Sequence, residues 1–165
     1  RTLAWNIFEA STLIPIQGKG QVFPSSEDVA VLNKELAKEG FTEELEASQY
    51  PVFVVGQIME MVAHPDSDHL NVCQVQVAED QKVEIVVGAP NAKVGLKTIV
   101  ALPGAMMPNG TLIFPGKLRG EDSFGMMCSP RELALPNAPQ KRGIIELDET
   151  AIVGQAFDAD KHWQG

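Results

Sequence analysis

The sequence has few cysteines, no long apolar run and fewer basic than acidic side chains. Its two cysteines, Cys73 and Cys128, are too few for a disulfide scaffold and favour a reducing compartment, so we expect a cytoplasmic protein. No apolar run approaches the ~20 residues that a membrane-spanning helix needs, so we expect no contact with a membrane. Lys and Arg number 13 against 22 Asp and Glu, giving a net charge of -9. Taken as one number, this charge argues against a polyanionic partner such as nucleic acid.

Recognisable catalytic and metal-binding patterns are also missing. Four residues are of a type that binds zinc: His64, His69, Cys73 and Cys128. No pair among them has the CxxC or HxxxH spacing of a structural site, so we expect buried thiols, surface histidines and no metal. There is no GxSxG motif, and Asp66 and Asp68 lie in a Pro-containing loop where aspartates usually form turns. The sequence therefore predicts no enzyme and no cofactor.

The charge is distributed unevenly along the chain. Residues 1–48, 49–90 and 143–165 have net charges of -4, -5 and -4, whereas residues 91–142 have a net charge of +4. The cations of this basic segment are Lys93, Lys97, Lys117, Arg119, Arg131, Lys141 and Arg142. An acidic protein can bind a polyanion if its few cations are gathered on one face. The net charge therefore limits nucleic-acid binding to one part of the surface.

The first 48 residues predict the end of a small α+β domain. Trp5–Ile16 favours an extended segment, followed by a turn at Gly18–Gly20. Residues 25–40 favour a helix, with Ser25 or the serine after it as its N-cap. This segment is too short to be a complete domain.

From residue 49 to residue 165 the pattern changes to short strands separated by turns. Val52–Val62 predicts a long strand with Gly56 as its bulge. Further strands are expected at Leu70–Val77, Val83–Val87, Thr98–Leu102 and Leu112–Phe114. Turn signals at intervals of roughly ten residues predict a closed or nearly closed small β barrel. Ser129 and Glu132 have the spacing of a capping box and predict a short helix.

Cations and apolar side chains alternate around Lys117. Lys117 and Arg119 are expected on one strand with Leu118 between them, and Ser123–Met127 adds a hydroxyl and apolar side chains. On the outer face of a small barrel such residues suit RNA, because cations neutralise phosphates and apolar side chains contact ribose or bases. Residue chemistry alone leaves RNA binding and a protein-interaction barrel equally open. A third interpretation is a dimer seam of methionines: Met106, Met107, Met126 and Met127.

Three ordered blocks carry a resemblance to a known family. They read FVVGQIMEMVAHPDSDHLNVCQVQV, VEIVVGAPNAKVGLKTIVALPGAMMPNG and GKLRGEDSFGMMCSPRELAL. Together they resemble the tRNA-binding OB domains of the phenylalanyl-tRNA synthetase β chain, some methionyl-tRNA synthetases, the endothelial monocyte-activating polypeptide II group and the YtpR proteins. The resemblance covers residues 50–149. The preceding segment resembles the end of the small domain of YtpR proteins, so we expect this chain to be the C-terminal portion of a longer YtpR-like protein.

The resemblance implies a mainly β fold, with a five-stranded OB-fold barrel and a short helix in residues 49–165, after part of an α+β unit in residues 1–48. It implies a non-catalytic module that binds tRNA by shape and backbone. An aminoacyl-tRNA synthetase or a second copy of the chain is a further candidate partner. The candidate RNA-binding residues are Lys117, Arg119, Ser123, Met126, Arg131, Asn91, Lys93 and His69.

One position departs from the family pattern. The family's loop commonly reads ADKL, and here His69 stands where the lysine would be. An imidazole is mostly neutral near pH 7, so we expect weaker tRNA binding, or binding that strengthens towards pH 6. The alternative is a structural or protein-interaction OB domain with weak or lost RNA binding, which the net charge of -9 and the change at His69 favour.

Overall fold

The computed structural model describes three stretches of the chain: residues 5–17, 22–47 and 51–165. The chain divides into two units, Arg1–Tyr50 and Pro51–Gly165. The expected turn at Gly18–Gly20 and the expected domain boundary after residue 48 lie outside the described residues.

The first unit contains the predicted helix. Helix α1 spans Ser26–Lys38 and is N-capped by Ser25, which confirms the prediction. Ser25 Oγ accepts a hydrogen bond from Asp28 N (3.1 Å), and Asp28 Oδ2 accepts one from Ser25 N (2.9 Å). These two bonds satisfy backbone donors that a helix leaves unpaired at its start. The buried face of α1 is formed by Val29, Leu32 and Leu36.

The prediction of an extended segment at Trp5–Ile16 is wrong. A 3-10 helix occupies Ala10–Thr12 instead. Glu9 adopts a left-handed conformation (φ 54°), and both Thr12 N and Thr12 Oγ1 donate to Glu9 O at 2.8 Å. A threonine side chain that bonds to backbone three residues earlier favours a tight turn over an extended strand.

The second unit is an antiparallel β domain. Its main sheet has five strands: β1 (Phe53–Ala63), β2 (Asn71–Ala78), β3 (Gln81–Val87), β4 (Lys97–Ala101) and β7 (Met126–Met127). They are arranged in the order β3-β2-β1-β4-β7. A separate hairpin is formed by β5 (Gly116–Leu118) and β6 (Glu121–Ser123), and the short helix α2 spans Ala159–His162.

The two edges of the main sheet meet. Strand β3 lies against β6 and β7. Phe124 N donates to Glu84 O (2.8 Å), and Val86 N donates to Ser123 Oγ (3.2 Å). The sheet is therefore curled into an OB-like barrel, which confirms the predicted fold class. We call the line along which residues 123–127 meet residues 84–87 the seam.

Gly56 has a different role from the predicted one. The bulge of β1 lies between Ile58 and Glu60, and Gly56 pairs regularly with Thr98 of β4. A Cβ at Gly56 would lie 2.6 Å from Val100 Cγ2, so glycine is required by the close approach of side chains inside the barrel. The prediction of a bulge at Gly56 is thus wrong because packing, not a break in pairing, selects this glycine.

Two predicted elements are not formed. Leu112–Phe114 forms no strand: Leu112 makes an isolated bridge with Met106, Ile113 N donates to Ala105 O (2.9 Å), and Phe114 is exposed. Ser129 and Glu132 do make the predicted reciprocal bonds, with Ser129 N donating to Glu132 Oε2 (2.7 Å) and Glu132 N donating to Ser129 Oγ (3.2 Å). The segment nevertheless remains a turn, because Ala134 has a left-handed backbone (φ 51°) that stops a helix after one turn.

Candidate nucleic-acid interface

The hairpin β5–β6 carries Lys117 and Arg119 in different places. Lys117 is in β5, whereas Arg119 and Gly120 form the two-residue turn with positive φ angles of 52° and 96°. Two consecutive positive φ angles are what a type I′ hairpin turn requires. The expectation that Lys117 and Arg119 share one strand is therefore wrong. The turn raises the Arg119 side chain at the tip of the hairpin, where it is exposed.

The two cations also differ in their electrostatic surroundings. Lys117 pairs across the hairpin with Asp122, with Nζ 2.7 Å from Asp122 Oδ1. The hydrogen bond and charge of Asp122 raise the pKa of Lys117. None of the ion pairs and side-chain hydrogen bonds in the described stretches involves the Arg119 guanidinium. Arg119 is thus the cation of this hairpin that a phosphate can approach without displacing a carboxylate.

His64 fixes the position of the hairpin. Its side chain was expected at the surface, and that expectation is wrong, since His64 is only 3% exposed. His64 Nε2 donates to Leu118 O (3.1 Å), and Nδ1 accepts from Asp66 N (3.0 Å). The sequence offered only the His-Pro-Asp order as a signal, because the partner Leu118 is 54 residues away.

His69 lies in the loop that follows His64. It is exposed, and its Nδ1 contacts the carboxylate of Asp68. The same loop approaches the end of β3, since a Cβ built on Gly88 would lie 3.0 Å from Leu70 Cδ2 and 3.7 Å from His69 O. The His69 loop therefore lies between the hairpin and the end of β3.

Ser123 and Met126 lie on the seam. Ser123 Oγ accepts from Val86 N and donates to Gly125 O (3.4 Å), so its hydroxyl already holds the barrel closed. Met126 is half-buried against the core, and Phe124 beside it is exposed. The prediction that Met107 and Met127 lie on an exposed methionine surface is wrong, because both are core residues.

Asn91 and Lys93 have other surroundings. Asn91 Nδ2 donates to Ile144 O (2.9 Å) and Glu146 Oε1 (2.8 Å), while Oδ1 accepts from Ile144 N (3.0 Å). Its amide is thus used to hold the chain at residues 144–146. Lys93 is exposed and lines a cleft that also contains Glu146, Asp148 and Glu149.

Arg131 is exposed in the turn after β7. Its Nη1 donates to Gln140 Oε1 (3.4 Å). It lines a cleft of about 370 Å³ at the end of β3 together with Lys141 and Arg142, which were not among the predicted site residues. The structure therefore brings together the hairpin, the His69 loop, the seam and the Arg131 cleft, and it leaves Lys93 in an acidic setting.

The two cysteine thiols are free and buried. Cys73 and Cys128 are buried, as expected, and burial raises their thiol pKa to about 11 and about 12.

Within the described ranges no group of three or more His, Cys, Asp or Glu side chains could hold a metal ion. No helix in the part of the chain that the structure describes is long and apolar enough to cross a membrane.

The curled five-stranded sheet defines the second unit as an OB-like barrel domain. Residues 53–156 match the family model described as "Putative tRNA binding domain", which is well over half of the chain. The chain therefore belongs to this tRNA-binding domain family. Residues 1–48 match a second model, described as a domain of unknown function (DUF4479).

Two relatives that are similar in sequence agree with this assignment. The "Putative tRNA-binding protein YtpR" of Bacillus subtilis is 42% identical over 94% of this chain and 77% of its own length. The phenylalanine–tRNA ligase β subunit of Dechloromonas aromatica is 46% identical over 63% of this chain, but the match spans only 13% of that subunit. Among solved structures, the C-terminal domain of Plasmodium vivax p43 matches with a TM-score of 0.45 and 21% identity over 62% of this chain and 56% of that chain.

Proposed function

We propose that this chain is a non-catalytic tRNA-binding protein that holds tRNA by its shape and backbone. The contact surface is the hairpin β5–β6 with the adjoining His69 loop and seam, and we call it the hairpin face. The observation that carries the proposal is the Arg119 turn, which presents an exposed and unpaired guanidinium within a domain of the tRNA-binding family. A guanidinium in this setting can bind a phosphate through two parallel hydrogen bonds.

The polar groups of the hairpin face favour contacts to the RNA backbone. Asn91, whose amide could read a base edge, has all its polar hydrogens and its oxygen committed within the barrel. The Ser123 hydroxyl donates to Gly125 O, which leaves it as an additional acceptor only. What remains available is the unpaired guanidinium of Arg119, the Lys117 ammonium beside Asp122, the exposed imidazole of His69, and exposed apolar surface at Leu118 and Phe124. Such a combination suits phosphates and ribose or base faces, and it carries little base-specific hydrogen bonding.

The proposal extends to location and partners. Two cysteines that are not joined in a disulfide suit a reducing compartment, and we therefore propose a cytoplasmic protein. Several relatives are β subunits of phenylalanine–tRNA ligase, so an aminoacyl-tRNA synthetase is a proposed partner that would share the tRNA. Adding that purified ligase to the protein–tRNA complex should give a slower band in a native gel. An unchanged band would remove the synthetase from the proposal.

A gel-shift titration with bulk tRNA tests the central claim. Because each contacted phosphate releases counterions, the shift should be strong at low salt and weaken steadily as salt increases. Replacing Lys117 and Arg119 together by Glu should abolish the shift. The matched control replaces Lys34 and Lys82, exposed cations of helix α1 and strand β3, by Glu and should retain it. Absence of any shift by the parent protein at low salt would contradict tRNA binding.

A further inference from the structure

Three cations surround the cleft at the end of β3. Arg131 comes from the turn after β7, and Lys141 and Arg142 come from the segment that leads back into the core at Ile144. We call this group the basic cleft. Gly88 and Gly143 also line it. The cleft has a volume of about 370 Å³ and is open to solvent.

The charge of the basic cleft is not neutralised by its surroundings. Glu132 is the one acidic residue among the described residues that line it, and its carboxylate accepts from Ser129 N at 2.7 Å. In the described stretches no ion pair involves Lys141 or Arg142, and Arg131 bonds only to the neutral amide of Gln140. Scattered surface cations are ordinary, but three that converge on one concavity of an acidic protein form an anion-binding site.

The side chain of Asn91 holds the backbone next to the basic cleft. Asn91 makes three hydrogen bonds to the segment that begins with Ile144, and a Cβ on Gly143 would lie 2.9 Å from Asn91 Oδ1. Glycine at 143 therefore lets the chain lie directly on the Asn91 amide. This contact holds the chain directly after Lys141 and Arg142. The amide predicted to contact RNA instead holds the segment that follows the two cations.

The shape of the surface points to a chain-like anion. Lys141 and Arg142 also line a second cleft of about 310 Å³, together with Trp163 and one acidic residue, Glu146, whose carboxylate accepts from Asn91 Nδ2 (2.8 Å). The two cations thus stand on the ridge between two open clefts, whereas a free phosphate ion would be bound best in a single enclosed concavity. A polyanion that crosses the ridge can contact both sides.

The basic cleft is continuous with the hairpin face. Met126 and Val86, which belong to the seam, also line the cleft. At the end nearer the hairpin, Val86 N donates a hydrogen bond to Ser123 Oγ. We propose that the basic cleft binds backbone phosphates of the same tRNA that contacts the hairpin face, so that one RNA strand runs along the seam. This inference rests on the proposed function and adds a second set of phosphate contacts to it.

A triple variant tests the second contact. Replacing Arg131, Lys141 and Arg142 by Gln removes the cleft's charge, and the exposed side chains allow the barrel to fold. The matched control replaces Lys34, Lys82 and Lys161 by Gln, exposed cations outside both surfaces. Filter binding to tRNA should show about tenfold weaker binding for the cleft variant near 0.15 M salt, and a salt slope less steep by about two, because each lost phosphate contact removes roughly 0.7–0.9 from the slope.

Ethylation interference on the tRNA phosphates shows which phosphate contacts the cleft variant has lost. The cleft variant should lose interference at one group of phosphates and keep the group assigned to the hairpin face, whereas the control should keep both. A cleft variant that binds like the control, or that keeps the full interference pattern, overturns the inference while leaving the proposed function intact. Failure of the parent protein to bind tRNA overturns both, so the two failures are distinguishable.

Discussion

The imidazole of His64 and the main-chain carbonyl of Leu118 are joined by a hydrogen bond of 3.1 Å across 54 residues of sequence. The second ring nitrogen accepts from Asp66 N at 3.0 Å, so the ring carries its proton on Nε2. Both nitrogens are used, and the ring is buried. The loop at the end of β1 and the hairpin β5–β6 are thereby connected through one side chain.

Replacing His64 by Phe should loosen the hairpin. The change keeps an aromatic ring and leaves Asp66 N and Leu118 O without their partners; because both residues are exposed, water can replace part of each bond, and the cost is below the ~1–3 kcal/mol of a fully buried unpaired group. We expect a lower free energy of unfolding in urea and faster hydrogen exchange at residues 119–121. The control His69→Phe, at an exposed position of the same loop, should leave both unchanged. Unaltered exchange in the hairpin of the His64 variant would show that the bond does not hold it.

Replacing Arg119 by Gly should separate stability from RNA binding. A non-glycine residue at φ 52° carries backbone strain of roughly 1 kcal/mol, which glycine relieves. The variant should therefore be as stable as the parent or more stable in urea unfolding, yet it should bind tRNA more weakly because the tip loses its cation. Ala134→Gly, at another left-handed position (φ 51°), relieves similar strain without a charge change and should leave the affinity unchanged. Equal affinities for the parent and the Arg119 variant would exclude this guanidinium from the contact surface.

Local signals in the sequence predicted most of the barrel domain. Alternating apolar residues predicted β2 because the side chains of a half-buried strand alternate between core and solvent, as Cys73, Val75 and Val77 do. Ser25 was predictable as a cap because both partners of its hydrogen bonds lie within three residues. Fold class follows from such patterns and from turn spacing, which are readable along one chain.

The candidate site was less predictable because it depends on contacts between distant residues. The alternation of Lys117, Leu118 and Arg119 predicts a strand, and only the structure reveals the positive φ of Arg119. The sequence predicts Asn91 as an RNA-binding residue, whereas its partners are Ile144 and Glu146, more than fifty residues away. Polar side chains in loops look alike in a sequence whether they face solvent or hold the backbone of another loop.

Replacing Asp122 by Asn should strengthen tRNA binding. Asp122 holds Lys117 in an ion pair and raises the pKa of that lysine, so in the variant the pKa should fall back towards its ordinary value while the side chain stays charged at neutral pH. Because the variant frees the ammonium and removes a carboxylate that repels phosphate, the affinity should increase about threefold. Filter binding compares this variant with Asp80→Asn, which removes the same charge in the β2–β3 turn. An equal gain in both variants would attribute the effect to net charge alone.

Replacing Gly56 by Ala should destabilise the barrel without touching the hairpin face. The new Cβ would lie 2.6 Å from Val100 Cγ2 and 3.0 Å from Val75 Cγ1, distances that the core can accept only by shifting a side chain or a strand. Overpacking of this kind costs about 1–3 kcal/mol. The control Gly116→Ala places its Cβ in open space in β5 and should leave the unfolding midpoint in urea nearly unchanged. If both variants unfold at the parent's midpoint, the sheet is more compliant at Gly56 than its close contacts imply, and the glycine there is not required by packing.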